Sequence, residues 1–283
     1  MTHRIAWLDV FAERPLAGNG LAVVDDADDV SDDQMLALAQ EMRLSETTFV
    51  QSPTVEGADF RNRIWTPREE LPFAGHPSLG TAVAVARWRG DERASFVQET
   101  HAGLQPIEVA RAGGGGWRAT MLQNPAELGE ELERGAVMAM AGLGADHADP
   151  ELPPQLGSTG FPQLIAPVAS RDALAAARPD LESVETELGR LGVDSIYLCS
   201  CDPEADRAHA RGFVLGIGED PATGAAAGPL GAYLAERTGR ERLVIHQGEE
   251  MGRPSVLEVE MVDGRPRVGG GVFPVIDGEV SLV

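Results

Sequence analysis

Lysine is absent from this chain of 283 residues; all 23 basic side chains are arginine. Schiff-base chemistry on a lysine is therefore excluded, and with it pyridoxal-phosphate enzymes and lysine-dependent aldolases. A standard P-loop is excluded too, because its Gly-Lys-Ser/Thr core needs that lysine. Acidic residues number 45, giving a net charge of −22. Phosphate contacts need clustered basic side chains, so neither a nucleic-acid partner nor an anionic membrane surface is expected. Apolar runs are too short to span a bilayer, no apolar leader opens the sequence, and the expected location is the cytoplasm. The only cysteines, Cys199 and Cys201, alternate on what reads as a strand and so share one face. A pair is too few for a structural zinc site, and packed thiols in a reducing compartment are expected. The histidines (His3, His76, His101, His147, His209, His246) are scattered without metal-ligand spacing, so no metal is expected. There is no Gly-x-Ser-x-Gly elbow for a serine hydrolase. The glycines 113–116 join two strand-like segments and do not open a helix, so they are no dinucleotide fingerprint.

What the chain does contain is a repeated pattern. His76-Pro77-Ser78-Leu79-Gly80-Thr81-Ala82 and Asp220-Pro221-Ala222-Thr223-Gly224-Ala225-Ala226 share a spacing: polar residue, Pro, two residues, Gly, one residue, Ala. Pro suits the first turn of a helix, where its missing N–H is not needed. Each copy thus reads as a helix start with His76 or Asp220 at the cap. The segments that follow, Leu79–Ala86 and Ala225–Leu234, are apolar nearly all round, the mark of a buried helix. Helix N-termini favour anions. Two such helices, one per half, indicate a duplicated fold with one site between the halves. Arg61 or Arg63 ahead of His76, and Arg211 ahead of Asp220, extend the repeat.

Between these landmarks the pattern alternates strands and helices. Ile5–Phe11 and Leu16–Val24 read as strands joined by a turn at Gly18-Asn19-Gly20. Ser31–Gln34 forms a capping box for a helix carrying Met35, Leu38, Ala39 and Met42. Leu44–Val50 reads as a strand; judged from that segment alone, Glu46 is a carboxylate on its solvated face. Strands at Phe60–Trp65, Ala94–Thr100, Leu104–Arg111 and Trp117–Gln123 complete the first half, and Glu127–Gly144 is the connector. The second half repeats the order: a strand at Gly157–Val168, helices at Ser170–Ala177 and Leu181–Leu191, strands at Ser195–Ser200 and from Arg211 towards Asp220, then Val244–Gln247, Ser255–Val262 and Arg265–Gly270. The last strand, Val272–Val283, fits either half.

The motifs Asp9-Val10-Phe11 with Gly18-Asn19, Leu44-Ser45-Glu46-Thr47-Thr48-Phe49, Glu70 to Gly80 around Phe73-Ala74-Gly75-His76-Pro77, Ser158 to Pro162, Glu219-Asp220-Pro221-Ala222-Thr223-Gly224, and Gln247-Gly248 with Gly252 to Ser255 run nearly end to end. In these the chain resembles the phenazine-biosynthesis isomerase family (PhzF-like proteins), within the diaminopimelate-epimerase fold superfamily. The resemblance implies an α+β fold of two similar domains, each a curved β-sheet wrapped around a central buried helix. It assigns the final strand to the first domain, giving residues 1–126 with 272–283 and residues 127–271. It further implies a homodimer, no cofactor, and a small carboxylate substrate in a cleft between the domains.

The reaction implied is movement of a proton between carbons of a small, cyclic carboxylate by general acid/base catalysis. The family's proton-carrying glutamate falls on Glu46, against the surface reading from its own segment. The helix-start acid/base pair falls on His76 and Asp220. Backbone N–H groups near Gly75 and Gly224 would hold a carboxylate or a developing oxyanion, and Asn19 and Ser45 fall on substrate-lining positions. There are two departures. Ala225 stands where the family usually carries Ser, which removes one hydroxyl contact, and Gly20 replaces the common Pro. An amino-acid racemase or epimerase on the same fold would typically carry a Cys at each helix start, which this chain lacks. A non-catalytic carboxylate binder that lost turnover through Ala225 is the other alternative.

Overall fold

The structure, a computed structural model, describes residues 1–282, with Pro203 described by its backbone alone. Val283, the end of the expected closing strand, lies outside the described residues. The chain forms a mixed, sheet-dominated α+β fold that divides into two compact units: Met1–Leu122 with the segment from Gly269 onward, and Gln123–Val268. The first unit contains β1 (Thr2–Val10), β2 (Asn19–Val24), α1 (Asp32–Met42), β3 (Thr47–Gln51), β4 (Phe60–Trp65), β5 (Glu70–Leu71), α2 (Gly75–Arg89), β6 (Arg93–Thr100), β7 (Gly103–Arg111) and β8 (Trp117–Leu122). The second contains β9 (Glu127–Glu131), α3 (Arg134–Met140), β10 (Gln155–Ser158), β11 (Pro162–Pro167), α4 (Arg171–Ala176), α5 (Leu181–Leu191), β12 (Ser195–Asp202), β13 (Arg207–Val214), β14 (Gly218–Asp220), α6 (Gly224–Thr238), β15 (Arg242–Gln247) and β16 (Ser255–Val262). β17 (Arg265–Ser281) begins in the second unit and continues in the first, where residues 272–281 pair antiparallel with β1.

The two units share one pairing scheme. In the first, β1–β2 is antiparallel, β2–β3 parallel, β3–β4 and β4–β5 antiparallel, β4–β6 parallel and β6–β7 antiparallel. In the second, β10–β11, β11–β12, β12–β13, β13–β14, β13–β15 and β15–β16 reproduce that series in order and sense. Each parallel pair is bridged by a helical crossover, as parallel strands require.

α2 is apolar on every face because every face is covered. Residues 75–86 are all buried, and the helix packs against β1, β2, β3, β4, β6, β7 and β8. Gly80 permits that approach: a Cβ there would stand 2.5 Å from Leu21 Cδ2 and 2.8 Å from Val10 Cγ2. α6 is enclosed in the same way by β9, β10, β11, β15 and β16. Smaller cores lie under the outer helices: Met35, Leu38 and Ala39 of α1 meet Phe49 and Trp65, and α3, α4 and α5 share Val137, Leu174, Val184 and Leu188. The α1 capping box forms, with Ser31 Oγ accepting from the Gln34 N–H and Gln34 Oε1 accepting from the Ser31 N–H. Cys199 is buried and Cys201 half-buried on β12, both as free thiols.

The helix starts differ from the sequence expectation. Neither His76 nor Asp220 is a cap. α2 begins at Gly75 with Ala74 as N-cap, so His76 is its second residue; α6 begins at Gly224 with Thr223 as N-cap, so Asp220 ends β14, ahead of the helix. Pro77 sits in the first turn and Pro221 outside it. Both positions tolerate a missing N–H, so Pro does not fix the register. Ion pairs do. Arg63 on β4 holds Glu70 on β5 through Nε and Nη2, and Arg211 on β13 holds Glu219 on β14 through the same two atoms. Each arginine also lies over the aromatic ring two residues on, Trp65 or Phe213. Trp65 pairs with Glu70 and Phe213 with Glu219. Each helix then starts five residues after its glutamate. By this register Gly75 corresponds to Gly224, His76 to Ala225, and Asp220 to Leu71.

Candidate active site

The first unit gathers three buried polar side chains from separate elements. Asn19 opens β2 and is 2 % exposed; Glu46 precedes β3 and is 5 % exposed; His76 lies in the first turn of α2 and is 5 % exposed. Glu46 is thus a buried loop residue, and neither within a strand nor on a solvated face. Ser45 beside it is half-buried. Asn19 Nδ2 donates to His76 Nδ1 at 3.3 Å. On the other edge of the ring, His76 Nε2 lies 3.4 Å from Glu46 Oε2. Burial draws the imidazole down to about 3. The Glu46 carboxylate favours the charged ring, but desolvation outweighs it, and the positive end of the α2 dipole acts in the same direction as desolvation. His76 is therefore neutral at pH 7.

That neutrality has a measurable sign. An unfolded histidine titrates near 6.5, so between there and about 3 the unfolded chain binds a proton that the native state refuses. The contribution is fully present above 6.5 and is lost as pH falls through this window, at roughly 1.4 kcal/mol per unit. We expect urea melts of the parent to lose about 3 kcal/mol between pH 6 and pH 4 from this group alone. His76→Gln should have a shallower slope over that range; equal slopes would show that the ring is not held neutral.

The loop that delivers Asn19 is built for one path. Phe11 and Leu16 both take positive φ, 59° and 63°. Asp9, 1 % exposed on β1, accepts the Leu16 N–H at 2.6 Å. Gly18 has φ 69°, and a Cβ there would stand 2.4 Å from the Val10 carbonyl oxygen. Gly18→Ala should cost at least ~2 kcal/mol, from the left-handed backbone and the clash together. Chemical denaturation measures it; a cost below ~0.5 kcal/mol would mean that the loop has another accessible path.

In the second unit Asp220 is 6 % exposed, and its Oδ2 accepts the Thr223 hydroxyl at 2.8 Å. Gln247, 1 % exposed on β15, ties the segment together. Its Nε2 donates to the Asp220 carbonyl at 2.7 Å and to Thr223 Oγ1 at 2.9 Å. Its Oε1 accepts from the Thr223 N–H at 3.1 Å and from the Tyr197 hydroxyl at 2.8 Å. Tyr197, Thr223 and Gln247 were not singled out in the sequence, although Gln247 and Thr223 stand inside quoted motifs. A buried Gln beside a Gly-rich turn was the available signal. Gly224 and Ala225 begin α6, so their N–H groups have no intrahelical acceptor; Gly75 begins α2 and contributes likewise. Among the described residues no group of three or more His, Cys, Asp or Glu side chains is placed to hold a metal ion. No described helix is long and apolar enough to cross a membrane.

Comparison with known proteins bears on this arrangement. Residues 8–277 match the family of phenazine biosynthesis-like proteins, PhzC-PhzF. The chain belongs to that family. It is 38% identical over 260 residues to the trans-2,3-dihydro-3-hydroxyanthranilate isomerase of Pseudomonas aeruginosa, covering 89% of this chain and 88% of that one. A solved structure of a predicted epimerase from Pseudomonas aeruginosa superposes with a TM-score of 0.86 at 40% identity, covering 98% and 99% of the two chains. A hydroxyproline epimerase from Agrobacterium vitis shares the fold, with a TM-score of 0.69 at 14% identity over 99% and 93%. This PhzF-family chain is an isomerase, as its named relatives are.

Proposed function

We propose that this PhzF-family isomerase moves a proton between carbons of a small cyclic carboxylate by general acid/base catalysis, without a cofactor. The observation that carries the reading is the buried contact of Glu46 with a neutral His76. A carbon acid needs a base shielded from water, and Glu46 is a buried carboxylate beside a ring nitrogen. In this reading Glu46 takes the proton from one carbon and returns it to another. His76 and Asp220 supply or relay protons at the substrate's polar groups. The N–H groups at Gly75 and Gly224 hold its negative charge, and Asn19 and Ser45 line the substrate.

The relative at 38% identity acts on trans-2,3-dihydro-3-hydroxyanthranilate, a cyclic amino acid, and that compound heads the panel to test. Ala225 is the departure that bears on substrate choice: at the α6 start it offers a methyl where the family usually offers a hydroxyl. A thiol-based racemase is less well supported, because both cysteines lie on β12 while the helix starts carry His76 and Ala225. We take the working protein to be a cytoplasmic homodimer, which light scattering would test.

The experiment is incubation in D2O with a panel of cyclic and amino-acid carboxylates, read by NMR. Deuterium at a ring carbon of an isomerised product supports the reading. Exchange confined to the α-carbon of an amino acid would favour the racemase, and the absence of both isomerised product and exchange across the panel would overturn proton transfer on such substrates.

A further inference from the structure

We propose that Asn19 is a positioning residue that sets the tautomer of His76, leaving the ring proton on Nε2, where it faces the Glu46 carboxylate. The consequence for catalysis rests on the proton-carrier reading of Glu46; the tautomer itself does not.

A neutral imidazole has one N–H and one lone pair. The Asn19 amide nitrogen, a donor only, lies 3.3 Å from Nδ1. Nδ1 must therefore offer its lone pair, and the proton resides on Nε2. That nitrogen lies 3.4 Å from Glu46 Oε2, an acceptor when ionised. The order of donors and acceptors is thus consistent in one direction: amide N–H to Nδ1, with the proton on Nε2, the nitrogen beside the carboxylate. The opposite tautomer would aim the Asn19 donor at a second N–H and the Nε2 lone pair at the carboxylate lone pairs, two repulsive contacts in a buried site.

Asn19 is well placed to impose this choice. It is 2 % exposed, its backbone is fixed opposite Val10 in the β1–β2 ladder, and Gly18 before it packs so closely on Val10 that a Cβ would stand 2.4 Å from the Val10 carbonyl oxygen. The ring itself sits in the first turn of a fully buried helix segment. An N–H 3.4 Å from Glu46 Oε2 favours the ionised form over the protonated form through its dipole. Glu46 therefore waits as the base, and once it holds a proton, the same donor favours giving it back. A carrier that must take and return one proton needs both properties.

The test reads the ring directly. In protein labelled with 15N at histidine, two-bond 15N–1H correlations at pH 7.5 report which ring nitrogen is protonated, and comparison with His76→Gln assigns the signals. In the parent, without substrate, the His76 proton should be on Nε2; a proton on Nδ1 overturns the proposal with no variant needed. Asn19→Asp keeps the shape but can only accept, so Nδ1 should gain a proton. An unchanged Nδ1 would overturn the assignment of Asn19 as the determinant. With a turned-over substrate, Asn19→Asp should lower kcat by about 10²-fold with KM held within about threefold. A rise in KM alone, with the tautomer unmoved, would make Asn19 a substrate contact and nothing more. If the tautomer switches while the parent turns over no panel carboxylate, the positioning stands and the substrate reading fails.

Discussion

Glu46→Gln should stop hydrogen exchange at the substrate's carbons while leaving carboxylate binding nearly intact. The residue is 5 % exposed and precedes β3, with Oε2 3.4 Å from His76 Nε2. Glutamine keeps the volume and still presents an oxygen to the Nε2–H, so the local packing survives. What it loses is the ability to accept a proton. Removal of one general base typically costs ~10²–10⁴ in rate. Titration calorimetry with a non-reacting carboxylate should give a Kd close to the parent's, because the helix N–H groups that would hold the anion are unchanged. Parent-like incorporation of deuterium by Glu46→Gln would show that another group moves the proton.

Arg211→Met should cause the largest loss of stability. Arg211 is 6 % exposed and uses its whole guanidinium. Nε and Nη2 bind the two Glu219 oxygens at 2.8 and 3.0 Å, while Nη1 donates to the Leu174 and Ala177 carbonyls at 3.1 and 2.9 Å. The Leu174 carbonyl also accepts the Ala177 N–H at 3.2 Å and the Ala177 carbonyl also accepts from Arg178 Nη1 at 2.7 Å, so Arg211 is a second donor to each at the end of α4. Methionine fills the stem's volume but leaves the Glu219 carboxylate without its bidentate partner and takes one donor from each carbonyl. Breaking one side of a buried pair costs about 3–5 kcal/mol, a fall in Tm of roughly 10 °C. Arg242→Met supplies the contrast: Arg242 pairs with Glu260 at the surface with its side chain 77% exposed, and exposed pairs contribute less than about 1 kcal/mol. A Tm loss for Arg211→Met no larger than for Arg242→Met would mean that the freed groups find water or other partners.

The two buried helices were legible because Leu79–Ala86 and Ala225–Leu234 lack any polar stripe, and a helix with no polar side has nowhere to lie but inside. Their register was not. The matching His76-Pro77 and Asp220-Pro221 strings align residues that the fold does not align, since Pro is tolerated both in the first turn and ahead of it. The equivalence lies in Arg63–Glu70 and Arg211–Glu219, whose separations differ by one residue, so a fixed-spacing search over the string passes them by. The choice between Arg61 and Arg63 likewise needed the pairing of β4 with β5. The strand pair β5 and β14, at two and three residues, is too short to leave a periodic signal.

Glu46 shows the limit more sharply. A carboxylate beside Thr47 and Thr48 carries no mark of burial, because His76, which lies against it, is distant in sequence. Only the motif in which it stands pointed inward. Asp220 stood out through the repeated pattern as well as its motif, but its support did not: Gln247 holds that segment through four hydrogen bonds, one of them to the Asp220 carbonyl, that close only when β15 returns beside β13.

β17 gives the chain an order of assembly. The second unit is one continuous stretch, whereas the first is interrupted by it and takes back residues 272–281 as the partner of β1. On a ribosome the N-terminal half therefore emerges with one side of β1 unpaired from Thr2 to Val10, and that side stays open until the intervening unit has been made. An unpaired strand side is a template for other chains. For this protein, then, domain-by-domain folding from the N-terminus cannot close the β1 edge before residues 272–281 have been made.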